Sequence, residues 1–222
     1  MIETKETGNS SVSYITMRFY RFPGQYEGGT VNQLTEIRWH ARAGQGAVTA
    51  AKLVAETALF EDRYMQAMPE YGPERTGAPL KAFTRISDEP IEVCNNIEHP
   101  DIVVVLDETL LTSINVLDGM NPNGAVIVNS TTSPAEMRKI LKAPDSVKVA
   151  TVDASGIALD TIKRDIPNTP IVGALVKVQP VVDKESVKGQ LTAMFGSKFA
   201  QEMIDANLDS VTRAYEEVQI DG

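Results

Sequence analysis

Twelve consecutive residues, Met68-Pro-Glu-Tyr-Gly-Pro-Glu-Arg-Thr-Gly-Ala-Pro79, constrain the fold of this chain more than any other stretch. Three prolines and two glycines lie among them. Proline lacks the amide that a helix interior or a central strand requires, and glycine loses the most entropy on ordering. The segment is therefore expected to be a shaped loop, the kind of element on which function concentrates. Tyr71, Gly72, Pro73, Glu74 and Arg75 form its centre. An arginine held on a rigid loop can grip a carboxylate or phosphate through two parallel N–H bonds. Prolines also lower the ordering cost of docking, so the loop reads equally as a wedge against a partner chain, with Glu74 paired to Arg75 or to the partner. The absence of a nucleophile–base pair nearby in sequence favours the wedge.

A second unusual segment, Trp39-His-Ala-Arg-Ala-Gly-Gln-Gly46, stands upstream and runs into an alanine-rich stretch, Ala47 to Leu59. Strand (Glu36–Ala41), glycine turn (Gly44-Gln-Gly46) and helix in that order make an anion-binding arrangement, because free amides at a helix N-terminus attract negative charge. Arg42 and His40 can add positive charge. The spacing is neither a dinucleotide fingerprint nor a phosphate-binding loop ending in Gly-Lys-Ser/Thr. A tight strand-to-helix turn without a ligand is the competing reading.

The remaining chain alternates strands and helices. Leu80–Ile86, Asp101–Leu106, Ala125–Asn129 and Val147–Val152 read as strands, with Ile91–Val93 as a further short one. Ile102 to Val105 and Ala125 to Val128 are unbroken apolar runs, as suits parallel strands buried on both faces. Thr109–Leu117, a segment capped by Ser133 with Pro134 and Glu136, Ala154–Lys163, Lys184–Phe195 and Ala200–Val218 read as helices. The expected fold is a single α/β domain over residues 35–222, with a mainly parallel sheet and helices on both faces. Residues 1–34 form an N-terminal arm, polar at first, then aromatic from Tyr14 to Tyr26. The arm is expected to be partly disordered or packed on a partner subunit, or else to add a strand to the domain's own sheet.

Charge and composition exclude several classes. The net charge is −9, which opposes a primary nucleic-acid role. No apolar run is long enough to span a membrane, and no signal-peptide core is seen, so the cytoplasm is the expected compartment. Cys94 is the single cysteine and there are two histidines, too few for a thiolate-bound cluster or a Cys/His zinc site within the chain. Cys94 and His99 superficially suggest a nucleophile pair, but neighbours in sequence are rarely the neighbours in space that a dyad needs. Asp107, Glu108 and Asp153 follow buried strands at the edge where α/β ligands bind, and also suit helix caps. Asn129-Ser-Thr-Thr132 reads mainly as capping, and Trp39 as core.

Taken together, Arg42-Ala-Gly-Gln-Gly46, Pro69-Glu-Tyr-Gly-Pro-Glu-Arg-Thr-Gly-Ala-Pro79, Arg85-Ile-Ser-Asp88 and Asp101-Ile-Val-Val-Val-Leu-Asp107 resemble the gamma subunit of 2-oxoacid:ferredoxin oxidoreductases, of which the pyruvate enzyme is the best known. The resemblance runs from about residue 35 to 215. It implies a component of an anaerobic hetero-oligomeric oxidoreductase rather than a complete enzyme. Such complexes decarboxylate a 2-oxoacid oxidatively with thiamine diphosphate and magnesium held by alpha- and beta-type subunits. They pass electrons through 4Fe–4S iron–sulfur clusters, on other or delta-type chains, to ferredoxin, and most transfer the acyl group to coenzyme A. This chain would hold no metal and no catalytic residue of its own and would be inactive alone. Arg42, Gly44, Gln45 and Gly46 would make a coenzyme A or anion contact. Tyr71, Gly72, Pro73, Glu74 and Arg75 would border the active site against partner subunits. The family usually reads Gly-Arg-Gly-Gly-Gln-Gly at the first turn. Here Ala41 and Ala43 replace two glycines, and each added Cβ is expected to narrow the approach of a ligand. A member acting on oxalate, which needs no coenzyme A, is compatible with that departure. The competing class is a stand-alone α/β small-molecule or nucleotide-binding module using the glycine turn. A free-standing α/β enzyme is a third, for which the sequence offers no convincing catalytic set.

Overall fold

The computed structural model describes residues 34–70, 77–196 and 198–221. Among these residues seven strands form one sheet in the order β2-β3-β1-β4-β5-β6-β7. They are β1 (Thr35–Arg42), β2 (Tyr64–Glu70), β3 (Pro79–Ser87), β4 (Ile102–Val105), β5 (Ala125–Asn129), β6 (Lys148–Val152) and β7 (Gln219–Asp221). The central β1, β4, β5 and β6 are mutually parallel, whereas β3 and β2 on one side and β7 on the other join antiparallel. The helices are α1 (Ala47–Phe60), α2 (Pro134–Leu141), α3 (Ala154–Thr161), α4 (Asn168–Val178), α5 (Lys184–Phe195) and α6 (Gln201–Glu217).

Strand alternation sorts the core into two faces. Ile37, Trp39 and Ala41 of β1, Ala82 and Ile86 of β3, and Ile102 and Val104 of β4 join one large cluster with α1, α3, α4, α5 and α6. Val103, Val105, Val126, Val128 and Val149 face the other way, against Met137 of α2 and the partly buried Leu111, Ile114 and Leu117. All four side chains of β4 are buried. Each such aliphatic side chain contributes about 1.5–3 kcal/mol by leaving water. Trp39 is wholly buried, as its sequence context predicts, and its Nε1 donates to Thr84 Oγ1 at 3.1 Å.

Several elements differ from the sequence expectation. Met68 to Glu70 are the end of β2, and Pro79 begins β3, so the breaker-rich loop is shorter than its composition implies. Pro69 fits because, among the described residues, β2 is an edge strand, where one side of the ladder has no partner to lose. Ile91 to Val93 form no strand. Between β4 and β5 the regular part is a short 3-10 helix over Glu108–Thr112, not a helix reaching Leu117. Residues 1–33 of the arm, and Tyr71 to Thr76, lie outside the described residues.

Candidate functional site

Beyond β1 the chain turns into α1, which packs on the large cluster. Beyond β4 it turns the other way, through the 3-10 helix, onto the opposite face. The carboxyl ends of β1 and β4 are adjacent in the sheet. Two neighbouring strands whose connections leave on opposite faces open a crevice at their carboxyl ends, and α/β folds bind ligands there.

Arg42 ends β1 at this crevice. Its Nε and Nη2 donate to Thr109 Oγ1 at 3.1 and 2.9 Å, and its Nη1 donates to the Gly77 carbonyl at 3.1 Å. Nε also lies 3.3 Å from Asp107 Oδ2, and 34% of the Arg42 side chain stays exposed. The guanidinium is thus fixed in direction while part of it faces solvent. Gln45 spans the turn: its Oε1 accepts from Arg42 N, and its Nε2 donates to Asp107 Oδ2, both at 2.8 Å. Asp107 also caps the 3-10 helix, accepting from Thr109 N at 2.9 Å and from Thr109 Oγ1 at 2.6 Å. Burial opposes the charge of Asp107. The hydrogen bonds from Thr109 and Gln45, with the Arg42 cation, outweigh burial and hold its carboxyl below the usual range. The crevice at neutral pH is a fixed Arg42–Asp107 pair with Gln45 as strut.

The two glycines differ in role. Gly44 has φ +105° with open space where a side chain would stand. Gly46 has φ +82°, and a Cβ there would lie 2.6 Å from Asn168 Nδ2, so α4 approaches this turn closely. Gly46 gives α1 no side-chain cap among the described residues. The first amides of α1 therefore keep their attraction for an anion.

The antiparallel pairing of β1 with β3 brings the two unusual sequence segments together. Arg42 pairs with Pro79, Ala43 N donates to the Ala78 carbonyl at 2.9 Å, and Gly77 N donates to the Ala43 carbonyl at 3.1 Å. Tyr71, Gly72, Pro73, Glu74 and Arg75 themselves lie outside the described residues, but the end of their loop is stitched to the glycine turn. This geometry corrects the expectation drawn from Ala41. Its side chain is wholly buried in the large cluster, so its Cβ does not narrow the crevice. Ala43 is occupied in holding the loop.

Other sequence candidates take structural roles. Asp153 caps α3 through Gly156 N, and Asn129 ties Leu106 and Ser155 together. Cys94 is exposed with Gln66 Nε2 3.8 Å from its sulfur, while His99 Nδ1 pairs with the Gly119 carbonyl, so no Cys–His dyad forms. Thr109 and Asn168 are site residues that sequence reasoning missed, while Gly77 belongs to the loop it singled out. Asp107-Glu-Thr109 carries a recognisable capping pattern, but nothing local marks Asn168.

The face of β1, β3 and β2 away from α1 is an ordered charge grid. Register places His40, Lys81 and Glu70 in one row, Arg38, Phe83 and Met68 in the next, and Glu36, Arg85 and Gln66 in the third. His40 is buried, and its Nε2 accepts from Arg38 Nε at 3.2 Å, which keeps the ring neutral. Burial, then the charges of Arg38 and Lys81, push its pKa down to about 3. The unfolded ring titrates near 6.5, so below that pH the unfolded chain binds a proton that the folded chain refuses. The His40 contribution to stability is therefore whole above about pH 6.5 and is lost as pH falls toward 3, at roughly 1.4 kcal/mol per pH unit. His40→Gln keeps an acceptor for Arg38 and removes this dependence. Between pH 7 and 5, wild type should lose about 2 kcal/mol more stability than the variant in urea unfolding. Parallel pH curves for the two proteins would contradict this.

Among the described residues no group of three or more His, Cys, Asp or Glu side chains is placed to hold a metal ion, and no helix is long and apolar enough to cross a membrane. A single cysteine cannot supply the thiolates of an iron–sulfur cluster.

Comparison with known proteins places this geometry. The sequence profile of the pyruvate ferredoxin/flavodoxin oxidoreductase family matches residues 36–217. The pyruvate synthase subunit PorC of Thermotoga maritima is 50% identical over 184 residues, covering 83% of this chain and 94% of that protein. The pyruvate/ketoisovalerate oxidoreductases common subunit gamma of Pyrococcus abyssi is 44% identical over 187 residues, 84% of this chain and 98% of that protein. The crystal structure of the Thermotoga maritima pyruvate oxidoreductase subunit PORC superposes with a TM-score of 0.76 at 46% identity, over 85% of this chain and 99% of that one. The chain belongs to the pyruvate ferredoxin/flavodoxin oxidoreductase family and groups there with the gamma-type subunits.

Proposed function

We propose that this chain, with residues 35–222 as its gamma-type domain, is the gamma subunit of a cytoplasmic, thiamine diphosphate-dependent 2-oxoacid:ferredoxin oxidoreductase. Its partners are alpha-, beta- and delta-type subunits, which hold thiamine diphosphate, magnesium and the 4Fe–4S clusters and deliver electrons to ferredoxin. The substrate is a pyruvate-like 2-oxoacid or oxalate, selected by those other chains. The observation that carries this reading is the joining of the glycine turn to the Pro/Gly loop through Ala43, Gly77 and Ala78, beside an oriented Arg42. One edge of the sheet thereby presents both segments to a neighbour. Tyr71, Gly72, Pro73, Glu74 and Arg75 face the partner subunits at the active-site border. Arg42, with Gly44, Gln45 and Gly46, contacts a phosphate of coenzyme A or another anion arriving there.

Co-expression with the neighbouring subunits tests the assembly. A brown complex that reduces ferredoxin in the presence of a 2-oxoacid is expected, and the chain alone should do neither. A colourless monomer that binds a nucleotide would favour the stand-alone binding module instead. In the assembled complex, Arg42→Ala should raise the KM for coenzyme A about tenfold or more, the loss of one charge-assisted hydrogen bond, with kcat less affected. An unchanged KM would remove Arg42 from the anion contact while leaving the assembly reading intact.

A further inference from the structure

A pocket of about 330 Å³ lies at the opposite, amino-terminal edge of the sheet, away from the crevice. Val176, Val181, Val182 and Tyr215 give it apolar walls, and Glu61 and Asp183 stand on its rim. The rim carries cations as well. Arg63 Nε donates to Asp88 at 3.0 Å and its Nη1 to the Val181 carbonyl at 2.7 Å. The Lys184 and Lys177 ammonium groups lie 4.6 and 4.9 Å from the centre of the Tyr215 ring. Among the described residues Glu61 and Asp183 are bonded only to neutral amides: Glu61 accepts from Asp183 N, and Asp183 from the first amides of α5. The pocket is therefore an apolar recess with charges of both signs on its rim, where Glu61 and Asp183 have no ion-pair partner among the described residues.

The N-terminal arm leaves the domain beside this recess. Leu34 precedes β1 and is 40% exposed. Thr35 pairs with Ile86, two residues before Asp88, and Asp88 is the partner of Arg63 on the pocket wall. Residues 14–26 carry Tyr14, Phe19, Tyr20, Phe22 and Tyr26 with Arg18 and Arg21, and contain no acidic residue, in a chain of net charge −9. Seven residues lie between Tyr26 and Leu34, a tether of eight Cα steps that reaches up to about 26 Å when extended. The family match begins at residue 36, so the arm lies outside the region shared with the family.

We propose that the pocket at the amino edge seats an aromatic side chain from residues 14–26 of the same chain, with Arg18 and Arg21 toward Glu61 and Asp183. Seating an aromatic ring against Val182 and Tyr215 withdraws apolar surface from water on both sides. Intramolecular docking needs no minimum concentration, because the short tether keeps the ligand at high effective concentration.

A photo-reactive p-benzoylphenylalanine at the exposed, pocket-lining Pro180 of the full chain tests this, with equal parts of isotopically light and heavy protein mixed before irradiation. Cross-links from position 180 to residues 14–26 within one chain are expected. Replacing Phe19, Tyr20 and Phe22 together by serine should lower the docked-to-free ratio about tenfold or more, the effect of removing a buried ring. Cross-links to a second copy or to another subunit would overturn the proposal. So would cross-links confined to the domain, or no change in the triple variant. Hydrogen exchange of β4 and β5 in each variant confirms that the domain is folded.

Discussion

Gly173→Val should leave the chain without a stably folded α/β domain. Gly173 lies in α4, where every residue from Thr169 to Val176 is buried. A Cβ at this position would overlap the backbone carbonyl of Val211 in α6. The obstacle is backbone, so no rotamer change relieves it, and α4 would have to move off α6 along their whole contact. Overpacking that side chains can absorb costs about 1–3 kcal/mol. A forced helix separation here should exceed about 3 kcal/mol, a large part of the 5–15 kcal/mol that holds a typical domain. Valine adds the rotamer restriction of a β-branched side chain in a helix. Urea unfolding and soluble yield would measure the effect. A variant that unfolds at the wild-type urea concentration would show that α4 and α6 are not locked together as described.

The same helix shows where sequence pattern stops informing. Asn168-Thr-Pro-Ile-Val-Gly-Ala-Leu-Val-Lys-Val178 has a proline at its third position, a glycine in its middle and several β-branched residues, and its apolar positions show no one-sided period. Local propensity argues against a helix there. Burial on nearly all sides removes the amphipathic stripe that would otherwise reveal one. By contrast β4 and β5 were legible, because doubly buried parallel strands are unbroken apolar runs. Ser133 and Pro134 marked the start of α2 because capping chemistry is local. β2 was hidden by Pro69 in an edge strand, and β7 is only three residues, two of them polar. At the crevice, Arg42, Gly44, Gln45 and Gly46 were visible as a strand–turn–helix junction, and Asp107 as a strand end. Their meeting with Gly77, Ala78 and Thr109 depends on β1 pairing with β3 on one side and β4 on the other. That is a property of topology and has no local signature.

Arg85→Ala should cost about 3–5 kcal/mol, the usual penalty for removing one partner of a buried ion pair. Only 2% of the Arg85 side chain is exposed, and its Nε donates to Glu36 Oε1 at 2.7 Å. Its Nη1 donates to the Asn95 carbonyl at 2.9 Å and to Gln66 Oε1 at 3.2 Å, and its Nη2 to Asn95 Oδ1 at 3.1 Å. Alanine would leave the Glu36 carboxylate without its cation and several oxygens without their donor. It would also release the stretch around Asn95, which has no regular structure and lies over the β1–β3 face through such contacts and the burial of Ile97 against Met68 and Phe83. Hydrogen exchange should therefore rise around residues 93–98 before it rises in β4, which is buried on both faces. If the loss comes from the stranded charge rather than from lost packing, Arg85→Leu combined with Glu36→Leu should recover much of it, since apolar replacement of both members of a buried pair is often nearly neutral. A single-variant loss below about 1 kcal/mol would place this pair with exposed ion pairs, whose worth is of that order. It would also show that the charge grid does not hold the segment over the sheet.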